Sequence, residues 1–169
     1  TRELGLDGLS FSGIPVFGSY TDQAAQKAVA SLFIEKFAAV AGPGKELLLL
    51  FEGDPQFLTP ADRSKVDYFV LDTKETDNAT DLKLQVLRAL SAGAVPCNKL
   101  LLWAMTEYEF TDEDKGAADA ISALTIRIPE IGPQPLAGLC IYSVNADYFG
   151  AEFIYPLTRQ AIQTLNPSK

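Results

Sequence analysis

Apolar residues gather in five short runs along the chain, Gly5 to Ser12, Glu46 to Phe51, Asp67 to Leu71, Lys99 to Met105 and Ala137 to Val144. Each is rich in Leu, Phe, Ile, Val or Tyr, and none alternates cleanly with polar residues. That is the pattern of strands covered on both faces of a parallel sheet. Between the runs the period changes. Asp22 to Val40 repeats apolar residues at Ala25, Val29, Leu32, Phe33 and Phe37, which predicts a helix, and Gly42-Pro43-Gly44 stops it. A second helix is predicted from Asp81 to Ala92, with Leu82, Val86, Leu87 and Leu90 on one face, Asp77 or Asn78 near its start and Gly93 at its end. Asn78-Ala79-Thr80 has the form of a glycosylation sequon but reads as part of this helix entry. Shorter helical patterns fit Pro60 to Lys65 and Asp112 to Leu124, and Ile154 to Leu165 predicts a closing helix before Asn166-Pro167.

Strands alternating with helices imply β/α crossovers, and right-handed crossovers give either an open doubly wound sheet or a (β/α)8 TIM barrel. The expected class is therefore α/β, built of parallel β/α units. No linker or internal boundary interrupts residues 1–169, which read as a single domain.

Composition narrows the chemistry. An apolar fraction of 47% with 21% charged residues belongs to a globular chain able to bury a core. The formal charge of −8 opposes phosphate backbones and anionic lipid surfaces, so neither nucleic acid nor a membrane surface is an expected partner. The same charge serves solubility. No apolar run approaches the roughly 18 residues of a membrane span, so insertion by this segment is not expected. The chain starts at Thr1, without an initiating Met or signal-peptide pattern, as if cut from something longer.

The chain has no histidine, which excludes Ser-His-Asp, Cys-His and His-bearing zinc sites built from its own residues. Cys97 and Cys140 match no metal or redox spacing and read as buried small hydrophobes. Neither Gly-x-Gly-x-x-Gly nor Gly-x-x-x-x-Gly-Lys-Ser/Thr occurs. No metal or other cofactor is expected.

Acidic, amide and aromatic residues concentrate just after each predicted strand: Phe17 and Tyr20, then Glu52 and Asp54, then Asp72, Lys74, Glu75 and Asn78. Glu107, Tyr108 and Glu109 follow the fourth run, and Asn145, Asp147 and Tyr148 the fifth. In parallel β/α proteins this is the ligand-binding side, because loops leaving strands share one rim. Loops are polar in any case, and Gly53-Asp54-Pro55 reads first as turn chemistry. Trp103, inside the fourth run, is either packing within a barrel or the floor of a sugar platform.

The first run, Leu6-Asp7-Gly8-Leu9-Ser10-Phe11-Ser12 followed by Gly13-Ile14, resembles the fourth barrel strand of glycoside hydrolase family 18. That strand reads Asp-Gly-hydrophobic-Asp-hydrophobic-Asp-any-Glu in working members. Asp7 and Gly8 match, Ser10 and Ser12 replace the two later aspartates, and Ile14 falls where the acidic Glu should be. Val66 to Thr73 is similar to the sixth strand of Bacteroidetes endo-β-N-acetylglucosaminidase-like proteins. Leu100 to Trp103 is similar to the seventh, Gly138 to Tyr148 to the eighth, and Tyr155-Pro156 to Lys169 to the family's ending. The resemblance implies a partial TIM barrel, its C-terminal half with strands four to eight. It further implies either a missing N-terminal half-barrel or self-association as the partner of the open edge.

Family 18 chemistry is substrate-assisted: the sugar's acetamido group attacks, an Asp orients it, and the Glu protonates the leaving oxygen. Ile14 has no proton to give, and Ser12 cannot supply an orienting carboxylate's charge. The leading expectation is a catalytically silent, carbohydrate-binding barrel that recognises N-acetylglucosamine-containing glycans. The proposed binding set is Tyr20, Glu52, Asp72, Trp103, Glu107, Tyr108, Asn145 and Tyr148. The resemblance also implies the cell surface or periplasm of a Gram-negative bacterium. A relocated acid, Glu52, Glu107 or Asp72, would make it a hydrolase instead. A structural module contacting only protein is the third reading.

Overall fold

A computed structural model describes residues 7–12, 23–71, 79–91, 95–105 and 136–142, together with residues 159, 162 and 163. Five strands appear among them, β1 (Gly8–Phe11), β2 (Leu48–Glu52), β3 (Tyr68–Leu71), β4 (Leu100–Met105) and β5 (Gly138–Tyr142). All five lie within or one residue from the predicted runs. The described helices are α1 (Gln23–Phe37), α2 (Pro60–Arg63) and α3 (Ala79–Ser91). Arg159, Ile162 and Gln163 are helical as well, in line with a closing helix. The helix expected over Asp112 to Leu124 lies outside the described residues.

Every neighbouring pair of strands is parallel, and the spatial order β1-β2-β3-β4-β5 repeats the chain order. That order decides between the two architectures left open by the sequence. A doubly wound sheet reverses direction at a switch point, whereas a barrel winds one way. With each crossover right-handed, one-way winding puts all helices on one side. The core agrees, since Ala30 and Ile34 of α1, Val86 and Ala89 of α3, and Leu49, Phe51, Phe69, Leu71, Leu100 and Leu102 of the strands form one cluster. The chain thus folds as part of a TIM-barrel-like α/β sheet.

Local chemistry accounts for the element ends. Ala38 and Ala41 amides bond back to Ile34 and Phe37, and the Lys45 ammonium donates to the Ala38 carbonyl, which covers the last turn of α1. Gly42 follows with φ +112°, and a Cβ there would stand 2.6 Å from the Lys65 carbonyl oxygen, so only glycine suits this turn. Gly8 is required for a different reason. A Cβ on it would lie 2.7 Å from the Leu48 carbonyl oxygen, so its bare Cα lets β1 and β2 pair closely.

Two predicted helix faces are rotated. Of the expected stripe on α1, Val29, Leu32 and Phe33 are exposed, and Ala30 and Ile34 take the fully buried places. On α3 the shift is smaller: Val86 is buried and Leu90 packs on the core as expected, while Leu87 is exposed and Ala89 is buried. Both helices carry more apolar positions than one face can hold, so sequence period alone could not choose which stripe meets the sheet.

Candidate functional site

Parallel register fixes which side chains share a face. Residues paired across strands point the same way, and alternate residues point oppositely. Leu9, Phe11, Leu49, Phe51, Phe69, Leu71, Leu100, Leu102 and Leu139 belong to the helix-side core. The opposite face therefore carries Ser10 and Leu48 and Leu50, then Glu52, Tyr68 and Val70, then Leu101, Trp103 and Cys140. Val70 is buried yet stands outside the helix-side cluster, as a residue of this second face should.

Within the second face Glu52, Val70, Leu101 and Gly138 form one level, and Trp103 with Cys140 forms the next level toward the strand C-termini. Glu52, Trp103 and Cys140 are half-buried and Ser10 is exposed. The Cys140 thiol is pushed above its ordinary value, first by burial and second by the negative charge of Glu52. Glu52 and Cys140 are on strands three places apart, a separation of roughly 14 Å on a flat sheet. In a TIM-barrel-like sheet this second face is the inner one, toward which the wall curls.

Of the residues singled out from sequence, Glu52 and Trp103 share this concave face, on strands two places apart. Trp103 is half-buried there and takes no part in the helix-side core. Ser10 shares the face, Ser12 is exposed just past the end of β1, and Asp7 is exposed just before it, its carbonyl accepting the Leu48 amide at 3.0 Å. Ile14, Tyr20, Asp72, Glu107, Tyr108, Asn145 and Tyr148 lie outside the described residues. Asp54 performs the turn role expected of it, capping the 3₁₀ turn Pro55–Phe57 by accepting the Gln56 amide at 2.9 Å. Among the described residues no group of three or more Cys, Asp or Glu side chains is placed to hold a metal.

Two side chains escaped sequence reasoning. Cys140 was expected as buried filler; it is half-buried on the concave face, and its partner in register is Trp103. Its signal was the alternation within Gly138 to Tyr142, readable only once the face of β4 is known. Asp62 is a buried carboxylate that accepts hydrogen bonds from Ser31 (2.6 Å), Thr59 (2.6 Å) and Lys65 (3.3 Å). Burial alone would raise its pKa, but these bonds and the Lys65 charge outweigh it and hold the carboxyl below its ordinary value. The Thr59-Pro60-Ala61-Asp62 run, a cap followed three residues later by an acid, was the legible sign. Asp62 ties α2 to α1 on the helix side and takes no part in the concave face.

The concave face thus offers a hydroxyl, a carboxylate, a phenol and an indole on a curved apolar floor. Comparison with known proteins gives this geometry a setting. Residues 2–164 match the profile described as glycoside hydrolase family 18, BT1044-like. Among solved structures, a selenomethionine BT1044 variant superposes with TM-score 0.63 at 15% identity, over 98% of this chain and 55% of that one. An endo-β-N-acetylglucosaminidase from Cordyceps militaris in apo form gives TM-score 0.61 at 18% identity, over 98% of this chain and 58% of that one. The chain thus spans less than three fifths of the length of either structure. No curated protein matches it.

Proposed function

Because the chain belongs to glycoside hydrolase family 18, in its BT1044-like group, we propose that it is a glycan-binding, catalytically silent part of a family 18 barrel. The fold is glycoside hydrolase-like; the silence is our reading. It is carried by Ser10, which stands exposed on the concave face of β1 where the family motif has an aspartate. Ser12, exposed just past the end of β1, takes the place of the orienting aspartate, and Ile14 that of the acid. A neutral hydroxyl can donate a hydrogen bond to a sugar, but it cannot offset positive charge developing at an oxazolinium-like intermediate. A hydrocarbon at the acid position leaves the departing oxygen unprotonated.

The surviving groups suit binding. Trp103 supplies a ring on which a sugar's apolar face can stack, and Glu52 accepts hydroxyl hydrogen bonds without competing for metal or phosphate. The solved endo-β-N-acetylglucosaminidase directs the choice of ligand to N-acetylglucosamine-containing glycans. Tyr20, Asp72, Glu107, Tyr108, Asn145 and Tyr148, each following a strand in sequence, complete the proposed rim. From the resemblance of Val66 to Thr73 and the later strands to Bacteroidetes endo-β-N-acetylglucosaminidase-like proteins, we further propose that it acts beside glycan-degrading enzymes at the surface or in the periplasm of a Gram-negative bacterium.

A glycan array paired with a reducing-sugar assay tests the reading. Saturable binding of chitobiose-cored glycans without sugar release is expected. Trp103→Ala should weaken that binding by about 1 to 2 kcal/mol, the scale of a truncated interface aromatic, and Arg88→Ala on the exposed side of α3 should leave it unchanged. Equal effects of both variants, or no glycan affinity at all, would remove the reading's support.

A second reading keeps the enzyme alive with Glu52 as a relocated acid. The observation in its favour is that Glu52 is half-buried at the C-terminal end of β2, on the face away from the helices.

A further inference from the structure

The concave face is uneven from strand to strand. On β1 it carries only Gly8 and Ser10, so the space over neighbouring Leu48 and Leu50 of β2 stays open: Leu48 is exposed and Leu50 half-buried. On the far side of Leu50, paired with it in register, stands Tyr68 of β3, half-buried and absent from the helix-side core. Glu52 lies two residues beyond Leu50 on β2 and therefore points the same way. Three adjacent strands thus set three oxygen-bearing side chains around one apolar residue. Among the described residues neither the Tyr68 phenol nor the Ser10 hydroxyl engages in a hydrogen bond.

Chemistry narrows what such a place can take. An anion would meet the Glu52 charge and a chain of formal charge −8. A purely apolar ligand would strip water from both hydroxyls and return no hydrogen bond. A ring with one apolar face and hydroxyls round its edge satisfies every group at once. Its face lies on Leu50, the phenol and the serine hydroxyl each donate or accept, and the carboxylate accepts. That is a neutral pyranose sugar. Tyr68 stands one residue before the Phe69–Leu100 pair and Trp103 three after it, a stagger of about four residues or roughly 13 Å of strand, so the two aromatic side chains reach different units of a bound glycan.

We propose that Tyr68 is a further ligand-contacting residue, and that Leu50, with Tyr68, Ser10 and Glu52 around it, forms a second sugar subsite deeper in the concave face than Trp103. The inference rests on the glycan-binding reading and adds to it a residue that follows no strand end and was not singled out from sequence.

The test titrates a chitobiose-cored glycan into the full polypeptide, its Tyr68→Phe variant and its Trp103→Ala variant. Tyr68→Phe removes one oxygen and keeps the ring, so the thermal midpoint should move by less than about 2 °C while affinity falls about 3- to 10-fold, the scale of one hydrogen bond. With tyrosine labelled at Cζ, the resonance that Tyr68→Phe lacks should shift in the unaltered protein as glycan is added. Unchanged affinity in Tyr68→Phe beside weakened binding in Trp103→Ala would overturn the subsite and leave glycan binding standing. A weakened Tyr68→Phe whose missing resonance does not respond to glycan in the unaltered protein would make the effect indirect, and would overturn the contact. No affinity of the unaltered protein would overturn both readings together.

Discussion

Glu52 and Cys140 stand on one face of the sheet, on strands three places apart, and the carboxylate of the first raises the thiol of the second. Deprotonating Cys140 adds a negative charge near an existing one in a half-buried setting, so both burial and Glu52 act in the same direction. The rate of Cys140 alkylation against pH should have its midpoint above that of an unperturbed thiol. Glu52→Gln should bring it down only part of the way, because burial, the larger cause, remains. A midpoint unmoved by Glu52→Gln would separate the two residues in space.

Asp62 provides the pH dependence. Its carboxyl is held below the ordinary value of about 3.9, so the folded state binds its proton less readily than the unfolded chain does. Its contribution is therefore complete above the unfolded pKa and is lost as pH falls through the lower folded value. Asp62→Asn should cost about 1 to 3 kcal/mol at pH 7, the scale of hydrogen bonds to a buried charged group. In urea unfolding the gap between variant and parent should narrow below about pH 4. A gap unchanged between pH 7 and pH 3 would assign the cost to shape rather than charge.

Gly8→Ala tests the closeness of β1 and β2. The new Cβ would meet backbone and side-chain atoms of Leu48 at 2.7 and 2.9 Å, and the backbone oxygen cannot swing aside. Overpacking of this kind costs about 1 to 3 kcal/mol. Thermal melts should show that loss; Pro43→Ala, at an exposed turn position, should stay near the parent.

Hydrolysis separates the two functional readings. Loss of a positioned acid removes about two to four powers of ten in rate, and loss of the orienting carboxylate adds to it. No measurable cleavage of chitobiose-cored glycans is expected. Turnover that survives purification and disappears in Glu52→Gln would establish the relocated acid.

The five strands were legible because buried parallel strands leave short, dense apolar runs bounded by Gly, Pro and polar residues. Helix α1 was legible from period and from Gly42-Pro43-Gly44, and the family from the resemblance of Leu6 to Ile14 to its fourth barrel strand. Tertiary structure decided matters that depend on more than one element. Which stripe of α1 is buried depends on how the helix seats on the sheet, so Ala30 and Ile34 prevailed over Val29, Leu32 and Phe33. That Ser10, Glu52, Trp103 and Cys140 share a face follows from the register between successive strands, carried from β1 to β5 across the sheet. A residue's period fixes its two possible directions; only its neighbours in space select one.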